Sequence, residues 1–192
     1  MKKIILASKS PRRIEMLSKY FNDLTILAPK TNEIVNDTDK PQTTVMKIAF
    51  EKAKAIYDSS EKGLIISADT IVYLDKVMGK PSNYEEGFQM IKSLSGKTHK
   101  VFSGLCIWDS ETNKKIVDFE ETLVLFNELN DNEIINYLNV GEYKDKAGAY
   151  GIQGYGELLV KKINGCYNNV KGLPLSKLNF LLKKHFSINL LK

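Results

Sequence analysis

Apolar residues recur along the chain in short runs and helical stripes that alternate. Ile4-Ile5-Leu6-Ala7 reads as a short buried strand, and Ser10-Pro11 then opens a helix, Ser being a good cap and Pro fitting the first helical position. Ile14, Leu17 and Phe21 give that helix its apolar face. LTILA (24–28) predicts a second strand, followed by a polar loop over 29–41. Residues 42–58 are strongly helical in pattern: Val45, Ile48, Ala49 and Ile56 fall in a stripe about 100° wide, with Lys52 near its middle.

LIISA (64–68) predicts a buried strand ending at Asp69-Thr70, followed by IVYL, with Asp75 turning a hairpin. Ser82 with Glu85 predicts a capping box for a helix through Leu94. HKVFSGLCIW and KKIVDFEETLVLF flank DSETN as a long hairpin, and Asn130 with Glu133 starts a helix that Gly141 ends. A glycine-rich loop (147–157) leads into the strand LLVKKI. Pro174 opens a last helix with Leu178, Leu181 and Leu182 toward the core. No internal repeat, low-complexity segment or linker interrupts this order. The pattern predicts a mixed α/β fold with parallel and antiparallel strands.

Composition narrows the partners more than the fold. At 192 residues, 43% apolar and 27% charged, the chain suits one domain, or two lobes sharing a core. No apolar run approaches the roughly 18 residues of a membrane span. The opening MKKIILASKSPRR has too short an apolar run for a secretory signal, so a mature cytoplasmic start is expected. Cys106 and Cys166, with His99 and His185, form neither a zinc pattern nor a disulfide framework, and reduced thiols are expected. The net charge of +5 favours anionic partners, a nucleic acid or a phosphorylated small molecule. Without a basic stripe interleaved with aromatics, no stable nucleic-acid complex is expected.

SLSGKTHK (93–100) carries Gly96-Lys97-Thr98, the ending of a phosphate-binding P-loop. A P-loop needs glycine five residues before its Gly-Lys pair, where this chain has Ile91. It also follows a strand and opens a helix, whereas this segment closes a helix and precedes a strand. Gly96 is expected at the helix C-terminus instead.

Three other places suit phosphate better. In SKSPRR (8–13) a strand feeds a helix N-terminus, which attracts anions. Its first turn holds Arg12 and Arg13, which either flank a bound anion or lie in solvent. Lys52, centred on an apolar stripe, either snorkels outward or points into a cleft. Asp69 follows an apolar strand, where it can hold a divalent ion or take a proton from water, or else caps a turn. Lys80, before Pro81, can reach the same space. Glu33 stands in the loop after the second strand. Glycines at 148, 151 and 154 let backbone approach a ligand, and Gln153 beside them suits an amide edge of a base.

Taken in order, LASKSPRR, IAFEKAKA, SADTIVYLDKVMGKP, LSGKTH, DKAGAYGIQG and INGCYNNVKGLPL resemble the Maf family over nearly the whole chain. These are nucleotide pyrophosphatases once described as septum-formation inhibitors. The resemblance implies an elongated mixed sheet flanked by helices, a single domain of two lobes around a cleft, Maf/ITPase-like, and a homodimer. It implies hydrolysis of a nucleoside triphosphate to the monophosphate and pyrophosphate with a divalent cation, Mg2+, Mn2+ or Co2+. SPRR, ADT and the IQG loop resemble the branch acting on dTTP and UTP, in a house-cleaning role that removes unwanted pyrimidine nucleotides.

On that resemblance Asp69 is the proton acceptor and a metal ligand, helped by Glu33. Arg13, Lys52 and Lys80 hold phosphates and Ser8 lines the site. Arg12, Thr70 and Gln153 set base selectivity. Two positions depart from the family pattern: Asn32 precedes Glu33 where an acidic pair is usual, and Tyr155 stands where a basic residue often follows the IQG loop. The alternative reading is a regulator of cell division that binds nucleotide without hydrolysing it.

Overall fold

The computed structural model describes residues 2–31, 39–59 and 61–191. Among these, the strands are β1 (Ile4–Ala7), β2 (Leu24–Leu27), β3 (Leu64–Leu74), β4 (Lys76–Met78), β5 (Thr98–Asp109), β6 (Lys115–Phe126) and β7 (Val160–Asn164). The helices are α1 (Pro11–Ser18), α2 (Pro41–Asp58), α3 (Tyr84–Leu94), α4 (Asp131–Val140), α5 (Tyr167–Lys171) and α6 (Leu175–Phe186), with short 3-10 turns at Ala147–Ala149 and Gly154–Leu159. The sheet order is β2-β1-β3-β5-β6-β7, with β4 on β3. β1 runs parallel to β2 and β3, whereas β3–β4 and β6–β7 are antiparallel, so the sheet is mixed as expected.

The chain divides into two compact units. The first comprises Met1–Asp69, Ser103–Glu120 and Gly172–Lys192; the second comprises Thr70–Phe102 and Glu121–Lys171.

In the first unit, strand parity sorts the core. Ile4 and Leu6, Leu64, Ile66 and Ala68, and Leu105 and Ile107 join one apolar cluster with Leu17 of α1 and Leu178 and Leu182 of α6. The alternate residues Ile5, Ala7, Ile65, Cys106 and Trp108 join another with Ala49, Ala53 and Ile56 of α2. Successive strand side chains point to opposite faces. Ser67 and Asp69 therefore share the α2 face with Ile65, and Gly104 shares it with Cys106. The two thiols, Cys106 and Cys166, are not bonded to each other.

The second unit packs α3, α4 and the 3-10 segment around Val72, Ile91, Val101 and Phe126. α4 starts at its cap Asn130 and ends on Gly141, φ 83°, as expected, and Asn130 with Glu133 forms a capping box. Gly96 is left-handed, φ 68°, just past the end of α3, and β5 starts at Thr98. That is the reverse of P-loop order.

Three sequence-based expectations shift. The strand expected to end at Asp69 runs on to Leu74, because Thr70-Ile71-Val72-Tyr73 are β-formers that pair back through Val72 with Met78. The α3 cap is Asn83 rather than Ser82: its side chain accepts from Glu86 N–H at 2.8 Å, while Ser82 N–H donates to Glu86 Oε2 at 2.6 Å. Asn caps as well as Ser does, so the cap slides by one residue, and the Glu86 carboxylate takes the Ser82 N–H rather than that of the cap residue itself. Finally, β7 starts at Val160, since residues 154–159 coil into a 3-10 turn.

Candidate active site

Two bonds along one face join β3 to α2. Ser67 Oγ donates to the Ala49 carbonyl at 2.6 Å, and Lys52 Nζ donates to Asp69 Oδ1 at 2.7 Å. Residues two apart on a strand meet residues three apart on a helix, since both spacings return to the same face. α2 comes this close because β5 has Gly104 beneath it: a Cβ there would lie 2.1 Å from the Val45 carbonyl oxygen.

Lys52 and Asp69 are 8% and 7% exposed. A lysine in the middle of an apolar stripe is thus neither snorkelled nor alone; it is held against a carboxylate. Although Asp69 is inside β3, the parallel pairing of β3 with β1 ends at Leu6↔Ile66. Asp69 therefore stands past the carboxyl end of β1, where open α/β sheets place their ligand chemistry.

The end of β1 leads into the second feature. Ser8 is buried, and its Oγ accepts from Ser10 N–H at 3.1 Å. Ser10 occupies the α1 N-cap but makes no side-chain cap bond, and the first turn holds no acidic residue. Arg12 and Arg13, both half-buried, stand in that turn, against the favourable sign of the helix dipole. Arg13 Nε donates to the Gly172 carbonyl at 2.7 Å, which orients the guanidinium. Gly172 is a contributor the sequence did not point to, because it acts through its backbone and no side-chain pattern marks it.

In the second unit Thr70 is half-buried on β3, Lys80 is exposed after β4, and Gln153 is half-buried in extended backbone. Their segments are tied together. Gly148 N–H donates to the Gly79 carbonyl at 3.0 Å, and a Cβ on Gly148 would stand 2.9 Å from Val72 Cγ2. Glu33 lies outside the described residues.

No group of three or more His, Cys, Asp or Glu side chains that could hold a metal occurs among the described residues. Asp69 contributes a single carboxylate, already bonded to Lys52 through one oxygen. Mg2+ is commonly held by one or two carboxylates, with substrate phosphates and water completing its shell. This donor set fits an ion that enters with a polyphosphate.

A buried acid–lysine pair past the carboxyl end of β1 and two arginines in the first turn of α1 make the first unit of this mixed α/β protein the candidate anion-binding region. The chain belongs to the Maf family: the Maf-like protein model matches residues 3–185. Among similar curated proteins, the dTTP/UTP pyrophosphatase of Caldicellulosiruptor saccharolyticus is 46% identical over 189 residues, 96% of this chain and 95% of that one. That of Alkaliphilus oremlandii is 45% identical over the whole of both chains. That of Clostridioides difficile is 44% identical over 97% of each. The solved structure of the Staphylococcus aureus Ham1 protein aligns with TM-score 0.47 and 13% identity over 66% of this chain and 73% of that one.

Proposed function

We propose that this chain hydrolyses dTTP and UTP to the nucleoside monophosphate and pyrophosphate. The observation that carries the reading is the buried Lys52–Asp69 pair, 2.7 Å apart, in a chain 44–46% identical over nearly full length to proteins named for that reaction.

A water oxygen bonds to the α-phosphorus while the bond to the α,β-bridging oxygen breaks and its electron pair leaves with pyrophosphate. Asp69 takes the water's proton. Lys52 turns from Asp69 toward the phosphates as the polyanion arrives, which exposes the carboxylate oxygen to water and puts a cation where charge accumulates. Arg13 and Lys80 hold the remaining phosphate oxygens. Cations placed there favour the transition state over the ground state, because negative charge grows on the leaving group. A divalent cation, when bound with the substrate, neutralises phosphate charge and makes water more acidic; Asp69, with Glu33, would hold it.

Arg12, Thr70 and Gln153 read the base in this proposal, and Ser8 lines the site. A house-cleaning role, a homodimer and a cytoplasmic setting belong to the same reading. The unbonded cysteines agree with a reducing compartment, and no helix among the described residues is long and apolar enough to cross a membrane. The test is a panel of nucleoside triphosphates with pyrophosphate detection, with and without Mg2+ or Mn2+. Release from dTTP and UTP above the other nucleotides is expected; release from none would end the proposal.

A further inference from the structure

His99, in the segment whose Gly-Lys-Thr suggested a P-loop, is one of the most buried polar residues of the chain, at 1% exposed. Its Nε2 stands 2.7 Å from the hydroxyl of Tyr150, itself 5% exposed. The two rings meet edge to face, centroids 5.4 Å apart. Phe126 of β6 packs edge-on against both, at 4.9 Å from His99 and 4.7 Å from Tyr150. Nδ1 has no hydrogen-bond partner among the described residues. With the proton assigned to Nε2, Nδ1 presents only a lone pair, less costly to bury unpaired than an N–H. Among the described residues the ring's polar bond is thus to Tyr150, and burial keeps the imidazole neutral at physiological pH.

Tyr150 stands in a loop with little regular structure of its own. Gly148 and Ala149 are consecutive left-handed residues, at φ 66° and 60°. A non-glycine residue there is strained and stays so only where its surroundings hold it. Three residues after Tyr150 comes Gln153. On its far side, Tyr155 N–H donates to Glu142 Oε2 at 3.1 Å. Gln153 is therefore suspended between two anchors, one of them the His99–Tyr150 bond. Ile152, 3% exposed, turns into the core, and the extended backbone sends Gln153 the opposite way.

We propose that His99 is a positioning residue: its hydrogen bond to Tyr150 fixes the 148–154 loop and thereby the placement of Gln153 against the base. This rests on the reading of Gln153 as a base contact. The rigid strand β5 would thus serve selectivity from beneath the loop without touching substrate. A small misplacement of such a contact weakens binding and discrimination more than it slows a reaction at the distant phosphates.

Three variants test it: His99→Phe, which keeps a ring and loses the bond; Tyr150→Phe, which loses only the hydroxyl; and His99→Gln, whose amide can still donate. Each phenylalanine variant is expected to raise KM for dTTP about tenfold, the scale of one buried hydrogen bond, with kcat within about twofold. The preference for dTTP over CTP falls with it. The double variant is expected to be no worse than either single one, because both remove the same bond. His99→Gln recovers most of the loss. Amide hydrogen exchange over 148–154 speeds up in both phenylalanine variants without nucleotide present.

Unchanged KM, preference and loop exchange, with only a lower melting temperature, would overturn the proposal. If the wild type releases no pyrophosphate from any nucleotide, the functional reading fails by itself, and loop exchange alone decides whether His99 holds the loop. Should His99→Phe fail to fold, the smaller change at Tyr150 carries the same test.

Discussion

Lys52 Nζ and Asp69 Oδ1 are 2.7 Å apart, and their side chains are only 10% and 9% exposed. A pair so placed is costly to break from one side. Removing one partner strands a buried charge, worth about 3–5 kcal/mol of destabilisation, whereas replacing both with neutral groups of similar size is close to neutral. Lys52→Met is expected to lower the urea midpoint sharply, and Lys52→Met with Asp69→Asn to recover most of it while remaining inactive. Additive losses in denaturation would mean that the pair is not coupled.

Asp69→Asn alone tests proton acceptance, but it leaves the buried Lys52 cation without a counter-charge, so it is assayed well below its own, lowered melting temperature. The amide can still accept from Lys52 but cannot take a proton from water. A positioned general base contributes about 10²- to 10⁴-fold, so kcat for pyrophosphate release is expected to fall within that range while dTTP still binds by calorimetry. Full activity in the folded variant would remove Asp69 from the role of base.

Arg13 is expected to resist replacement by lysine. Its Nε is fixed on the Gly172 carbonyl at 2.7 Å, leaving the orientation of the guanidinium set by the α6 side of the first unit. Lysine keeps the charge but has no second nitrogen with which to hold that anchor. Arg13→Lys should raise KM about tenfold, comparable to losing one charge-assisted hydrogen bond, with the melting temperature little changed. Equal kinetics in the two proteins would show that charge alone suffices.

Much of this site is legible in the sequence because its parts sit on regular elements. Lys52 is conspicuous as a cation within an apolar helical stripe. Parity from Ile65 puts Asp69 on one face of β3, but nothing local says that α2 covers that face. The pairing of the two depends on Gly104, a residue of β5 whose only signal is a missing side chain. The apolar run LIISA predicts a strand end at Asp69; the strand is longer, because pairing with β4 supports it beyond the point where β1 stops. The cap of α3 slid by one residue for an equally local reason, since Ser82 and Asn83 compete as caps. The His99–Tyr150 bond joins residues 51 apart through an irregular loop, and no periodicity reaches that far.

Gly104 itself gives a sharp stability prediction. A methyl group there would stand 2.1 Å from the Val45 carbonyl oxygen and 2.8 Å from Met46 N, both backbone atoms. α2 would have to lift from β5, which overpacking data place at about 1–3 kcal/mol or more. For a chain of this size that is a fall in melting temperature of about 2–4 °C per kcal/mol. Because Lys52 rides on the same helix, Gly104→Ala should also lower kcat. An unchanged melting temperature would show that α2 is not clamped there.

His99 makes acid stability a measurable property of the second unit. Burial lowers its pKa from 6.5 to about 4, whereas the unfolded chain titrates near the ordinary value. Between those values the unfolded state holds more protons, so stability falls as pH falls from about 6.5 to 4 and this contribution levels off below. The gap of about 2.5 pH units corresponds to at most about 3 kcal/mol. Carboxylates also titrate at the lower end, so the informative quantity is the difference between wild type and His99→Phe. The variant is expected to be less stable at pH 7, having lost the bond to Tyr150. As pH drops to 4, the wild type loses the additional increment and the two unfolding curves converge. Parallel loss of stability in both proteins over that range would show that His99 is not the residue resisting protonation.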